Sequence, residues 1–83
     1  MEFDPTRPKW QQIADVLRRR IMTGEYPPQH RISEVQLEND FGVARVTMRK
    51  ATAALREEDL ITTVTGMGSF VTAQSANDDQ GDV

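Results

Sequence analysis

The 83-residue chain has no cysteine, so it can form no disulfide, no thiolate metal site and no cysteine nucleophile. It has one histidine, His30, with no second imidazole or thiol to share a metal or orient a nucleophile, which argues against catalysis. Aromatic residues make up only 6% of the chain. Trp10, Phe41 and Phe70, together with Met48, stand at periodic apolar positions, so they read as core or staple residues rather than platforms for stacking single-stranded bases. No apolar run approaches the ~18 residues of a membrane span, and Met1-Glu2-Phe3-Asp4-Pro5 lacks the basic and apolar character of a signal peptide. A chain this short buries only about 60% of the surface its unfolded form exposes, which leaves no room for a deep substrate pocket. The expectation is one soluble, cytoplasmic domain that is not an enzyme, with no cofactor and no metal.

Positive charge is also scarce overall, since the formal net charge is −3. Resolved along the chain, however, the excess acid is local. All ten Lys and Arg lie between Arg7 and Arg56 and balance the Asp and Glu found before residue 73; the surplus is Asp78, Asp79 and Asp82. A nearly neutral body means that any polyanion site must come from local clustering rather than from a general positive field.

What is present is helical periodicity followed by β-branched runs. Residues 1–8 read as an N-terminal arm. Trp10, Ile13, Leu17 and Ile21 recur at helical spacing from Lys9 to Thr23, and Gly24 is a stop signal. Gly24-Glu25-Tyr26-Pro27-Pro28 cannot continue a helix, because each proline lacks a donor and forces its predecessor into extended geometry. A short extended Arg31-Ile32 leads to Ser33, which stands three residues before Gln36 as in a capping box, and Val35, Leu37 and Phe41 supply the apolar side of a short second helix that Gly42 closes. A third helix is expected from about Ala44 to Glu58, after the few-residue gap of a helix-turn-helix. Leu60–Val64 and Ser69–Thr72, joined by Thr65-Gly66-Met67-Gly68, read as a β-hairpin or wing. Residues 73–83 have no periodicity and read as a disordered polar and acidic tail or linker.

The third helix carries the chemistry. At about 100° per residue, Met48, Ala51, Thr52 and Leu55 form one inward stripe, while Arg45, Val46, Arg49, Lys50 and Ala53 project to the sides and back. Arg45 and Arg49 stand one turn apart, and a guanidinium donates bidentately to guanine edges or phosphates, so such a pair can address neighbouring positions in a major groove. The competing reading is a solvated face with no partner. Arg18-Arg19-Arg20 is spread around the first helix by its geometry, with Arg20 near the apolar stripe where its stem can snorkel, and reads as a solvated face. Gly66-Met67-Gly68-Ser69-Phe70-Val71 is not a phosphate-binding loop, because Val71 occupies the third glycine position and no loop lysine follows.

Taken together, Lys9-Trp10-Gln11-Gln12-Ile13-Ala14, Gly24-Glu25-Tyr26-Pro27-Pro28, Arg31-Ile32-Ser33-Glu34, Phe41-Gly42-Val43, Arg45, Thr47, Arg49-Lys50-Ala51 and Gly66-Met67-Gly68-Ser69-Phe70-Val71 make the chain resemble the DNA-binding domain of the GntR family of bacterial transcription regulators. The resemblance implies a mainly α fold with a small β-hairpin: a winged helix-turn-helix over residues 9–72, three helices plus a two- to three-stranded antiparallel wing. It also implies a repressor that reads a pseudo-palindromic double-stranded DNA operator, with helix 3 in the major groove and the wing near the minor groove. Carried over by position, the DNA-binding residues are Arg45, Val46, Thr47, Arg49 and Lys50, with Ala44, Glu34, Lys9 and the wing tip Gly66, Met67 and Gly68.

Departures from the family pattern are local. Gln29 stands where the family has Gly after the two prolines, the usual Pro before Ser33-Glu34 is missing, Ala44 replaces a hydroxyl residue, and the wing lacks basic residues. Family members continue into a larger effector-binding and dimerising domain, so this chain reads either as a minimal regulator or as one domain of a longer one. The expected partners are double-stranded DNA and a second copy of the chain on palindromic DNA, with no membrane and no evident small-molecule effector site. The alternative is a winged-helix module that binds a protein instead of an operator.

Overall fold

The computed structural model of the chain describes residues 2–72; the expected tail, 73–83, lies outside them. Three helices and three strands follow in the order α1 (Lys9–Met22), β1 (Arg31–Ile32), α2 (Glu34–Phe41), α3 (Arg45–Glu57), β2 (Ile61–Val64) and β3 (Gly68–Val71). The helix-turn-helix and the wing thus fall where the sequence places them, within one or two residues at each boundary.

α1 begins after Pro8, whose carbonyl accepts from the free N–H groups of Gln11 and Gln12. The preceding arm is tied down by the Gln12 side-chain amide, which is buried and fully paired: its Oε1 accepts from Asp4 N at 2.8 Å, and its Nε2 donates to Asp4 O at 2.8 Å and Arg7 O at 3.0 Å. Burying an amide is tolerable only when its donors and acceptor are satisfied in this way. Phe3 accordingly packs against the core, as do Trp10 and Val16.

At α2, Ser33 is the N-cap and its Oγ accepts from Gln36 N at 3.3 Å; the Gln36 side chain makes no reciprocal bond among the described residues, so only half of the expected capping box forms. Gly42 ends the helix in the left-handed region, φ 69°, and the carbonyl of Glu38 accepts from both Gly42 N and Val43 N. That turn redirects the chain into α3, whose N-cap, Ala44, has no side-chain capping bond. Met48, Ala51, Thr52 and Leu55 are fully buried, as the 3.6-residue period requires.

The strands form an antiparallel sheet in the order β1-β3-β2. Arg31 lies opposite Phe70 and Ile32 opposite Ser69, while on the other edge Ile61 faces Val71 and Thr63 faces Ser69. Side chains alternate across a strand. Ser69 and Val71 therefore take the inward positions of β3, and Phe70 is left half-exposed, outside the buried cluster. This corrects the expectation that Phe70 is a core or staple residue. The core is built from Ile13, Ala14, Leu17 and Ile21 of α1, Leu37 and Phe41 of α2, the α3 stripe, and Ile32, Leu60, Ile61 and Val71. No described helix is long and apolar enough to cross a membrane.

Among the described residues, two that are not glycine adopt positive φ: Gln29 at 71° and Asp59 at 62°. Both serve the sheet, since Gln29 N donates to Val71 O at 2.8 Å and the Asp59 carbonyl accepts from Thr72 Oγ1 at 2.7 Å. Asp tolerates this region better than most side chains, whereas an L-residue such as Gln is strained there by about 1–2 kcal/mol.

Candidate nucleic-acid interface

With its apolar stripe against α1 and α2, α3 turns Arg45, Val46, Arg49 and Lys50 to solvent. Val46 is 62% exposed, an apolar residue that the core does not claim. Arg49 and Lys50 form no ion pair among the described residues. Arg45 is held loosely, its Nε 3.6 Å from Glu38 Oε2. Thr47 is half-buried in the first turn, where its N–H donates to the Ala44 carbonyl at 3.1 Å.

Grooves flank this face on both sides. On the wing side an open groove of about 510 Å³ is lined by Arg31, Glu34, Arg49, Ala53, Arg56 and Gly68, among others. On the α1 side a second groove, of about 350 Å³, is lined by Trp10, Lys50, Ala53, Ala54 and Glu57. Ala53 borders both. A small residue on that ridge lets a bulky partner approach the helix backbone, and cations stand on either slope.

The expected site residues divide accordingly. Glu34, Arg49 and Gly68 meet in the wing-side groove, Lys50 lies in the other, and Ala44, Arg45, Val46 and Thr47 cluster at the N-terminal turn of α3. Lys9 begins α1, with its Nζ 5.4 Å from the centre of the Phe3 ring. Gly66 and Met67 occupy the wing tip, with Gly66 at φ 80° and Met67 62% exposed. Glu34 has a structural partner: the buried Thr52 donates its hydroxyl to Glu34 Oε2 at 2.7 Å, with Arg49 O a second acceptor at 3.1 Å. This ties the start of α2 to the middle of α3 beneath the exposed Arg49.

Sequence reasoning missed Arg31 and Arg56. Arg31 Nε donates to the Met67 carbonyl at 3.2 Å, and a Cβ built on Gly68 would stand 3.2 Å from the same nitrogen. Gly68, at φ 110°, is thus the residue that lets the guanidinium lie against the wing. Arg56 Nε donates to Thr63 Oγ1 at 3.0 Å, and Thr63 hydrogen-bonds Ser69 at 3.0 Å. The wing itself lacks basic side chains, but β1 and α3 bring two guanidinium groups to its flank. Only the pairing of β1 with β3 and the packing of α3 on β2 reveal this.

Of the Arg18-Arg19-Arg20 run, Arg19 is exposed as a solvated face requires, whereas Arg18 and Arg20 are tied into the fold. Arg18 forms a bidentate pair with Glu58, at 2.7 and 2.6 Å, and a third bond to Asp15 at 2.8 Å, while Arg7 holds the other Asp15 oxygen at 2.7 Å. The hydrogen bond from Arg7, then that from Arg18, holds the Asp15 carboxyl below its usual range, and Arg18 does the same to Glu58. Arg20 lies over the rings of Tyr26 and Phe41 and donates to the Tyr26 hydroxyl at 2.8 Å.

A sequence profile described as bacterial regulatory proteins, gntR family, matches residues 9–71. The chain belongs to the GntR family. Among curated GntR relatives it is 36% identical over 74 residues to the mannosyl-D-glycerate transport/metabolism system repressor MngR of Escherichia coli strain K12, covering 88% of this chain and 31% of MngR. Among solved structures it superposes on a GntR family transcriptional regulator from Listeria monocytogenes with a TM-score of 0.81 and 32% identity, covering 87% of this chain and 64% of that one. It also matches AraR(DBD) in complex with operator ORR3, with a TM-score of 0.76, 36% identity and coverage of 87% and 86%. The GntR chain described here therefore spans less than a third of MngR but nearly all of the AraR fragment. These relatives are regulators, not enzymes.

Proposed function

We propose that this chain is the operator-reading module of a transcriptional repressor, with α3 in the major groove of double-stranded DNA and the wing beside the minor groove. The observation that carries the reading is the division of α3 into a fully buried stripe and a face where Arg45, Val46, Arg49 and Lys50 are exposed between two grooves. An α-helix fits the major groove, where Arg45 and Arg49 can donate to guanine O6 and N7 and Val46 can contact a thymine methyl. Thr47 and the amide end of α1 at Lys9 suit phosphate, and Arg31 and Arg56 supply the wing side with the positive charge that Gly66, Met67 and Gly68 lack. The similarity to AraR(DBD), whose structure contains an operator, and to MngR, a repressor, supports the same use here.

On a pseudo-palindromic operator two copies would bind related half-sites, with each free chain mainly monomeric. The test is fluorescence anisotropy of the wild-type chain and the Arg45→Ala/Arg49→Ala variant against promoter DNA upstream of its own gene and a scrambled duplex, at two salt concentrations. Salt-sensitive binding that prefers the native duplex and is lost in the variant is the expected result. Binding to a protein surface through the same face would instead be nearly independent of salt, whereas phosphate contact lowers log K by about 0.9 per neutralised phosphate per unit of log salt.

A further inference from the structure

Glu38 is an acid in an awkward place. It sits in the second turn of α2, with its carbonyl consumed by the Gly42 and Val43 N–H groups of the turn into α3, so the backbone that carries the side chain is fixed. The side chain is only 17% exposed, and its Oε2 is buried with no hydrogen-bond partner. The cation it faces is Arg45, whose Nε lies 3.6 Å away, within ion-pair range but beyond a hydrogen bond, and whose side chain is 61% exposed. The pair is lopsided, with a buried anion and a cation at the surface.

A carboxylate out of water attracts a guanidinium more strongly than a solvated one would, and it is costly to leave alone. Contact through Nε leaves the two terminal amines of this 61% exposed side chain without a hydrogen bond among the described residues. These are the donors that meet a guanine edge end-on. The same carboxylate offsets the charge that a phosphate would otherwise attract, so it opposes binding that ignores sequence. Arg49 and Lys50, which have no such acid partner among the described residues, are left to the backbone or to bases without that restraint.

We propose that Glu38 is a specificity-determining residue of the reading face: it holds Arg45 by its Nε edge, presenting the terminal amines to a base while withholding the side chain from indiscriminate phosphate contact. This rests on the DNA-reading function proposed above.

The test uses the full chain, a duplex that the wild type selects from a randomised library, and poly(dI-dC) as non-specific competitor, with salt titrations for wild type, Glu38→Gln, Arg45→Ala and the double variant. Glutamine keeps the shape and removes the charge, and thermal melts confirm folding. Glu38→Gln is expected to raise non-specific affinity about two- to fivefold, to steepen the salt dependence toward one more phosphate, and to lower the specific-to-non-specific ratio. In the Arg45→Ala background the same change is expected to have no effect on that ratio. An unchanged ratio and salt slope in Glu38→Gln, or equal changes in both backgrounds, would overturn the proposal while leaving DNA reading intact. If the wild type enriches no duplex, the DNA reading fails and this role of Glu38 fails with it.

Discussion

The chain handles charge in two opposite ways at the two ends of α3. Where the helix ends, its C-cap Glu58 is gripped by Arg18, which also holds Asp15, which in turn holds Arg7, so that four charges from the arm, α1 and the end of α3 satisfy one another. In the first two turns, Arg45 is held loosely by a single nitrogen, and Arg49 and Lys50 are unpaired among the described residues. Paired charges fasten elements together and have little left to offer a partner. Unpaired ones add nothing to the fold and keep their donors for something that is not part of it. The same residue type, arginine, thus serves architecture in α1 and, in the function proposed above, recognition in α3, and the decision lies in what the fold places within 3 Å of it.

This contrast can be broken most severely through the core that both ends share. Leu55, fully buried on α3, is expected to cost about 2–5 kcal/mol of folding stability when replaced by Ala, measured by urea unfolding, and DNA affinity at 25 °C should fall only as far as the folded fraction does. Arg49→Ala sharpens the contrast from the recognition side. It is expected to weaken specific binding by at least about 1 kcal/mol with an unchanged melting temperature, and an unchanged affinity would remove Arg49 from the reading face.

Arg18→Ala is the mirror experiment, expected to lower stability by about 1 kcal/mol while leaving the slope of log K against log salt as in the wild type. The smallest effect is in acid. Asp15 and Glu58 have depressed folded-state pKa values, so the stability they contribute is present above the ordinary carboxylate range and is lost as pH falls below about 4.5 through their folded values. Denaturant midpoints should therefore be flat from about pH 7 to 5 and fall below that, and the gap between wild type and Arg18→Ala should narrow in the same window.

The local features were legible because their physics is local. The Ser33 cap, the Gly42 stop, the two prolines after Tyr26 and the 3.6-residue stripe on α3 each depend on residues within a turn or two. Features that depend on tertiary register were not legible. Phe70 is left off the core because the alternation along β3 gives its inward positions to Ser69 and Val71; nothing in the string Ser69-Phe70-Val71 selects that phase, because Phe and Val are equally plausible core residues. Arg18 meets Glu58 across 40 positions, and Arg31 reaches Met67 across 36. The helix proposed to read DNA can be picked out from spacing and family resemblance, but the acid beneath Arg45 and the guanidiniums beside the wing emerge only once α2, α3 and the sheet are packed.

The left-handed Gln29 has a consequence for how the sequence can change. Its strain lies in the loop between α1 and β1, at a position where glycine would remove the clash at the cost of some unfolded-state entropy, for a net gain of about 0.5–1 kcal/mol. The molecule thus carries an unused reserve of stability. If α3 reads DNA as proposed, a lineage that altered Arg45 or Val46 to read a different sequence, and lost folding stability in doing so, could recover it with one substitution outside α3, so Gln29 bears on how freely this face can evolve.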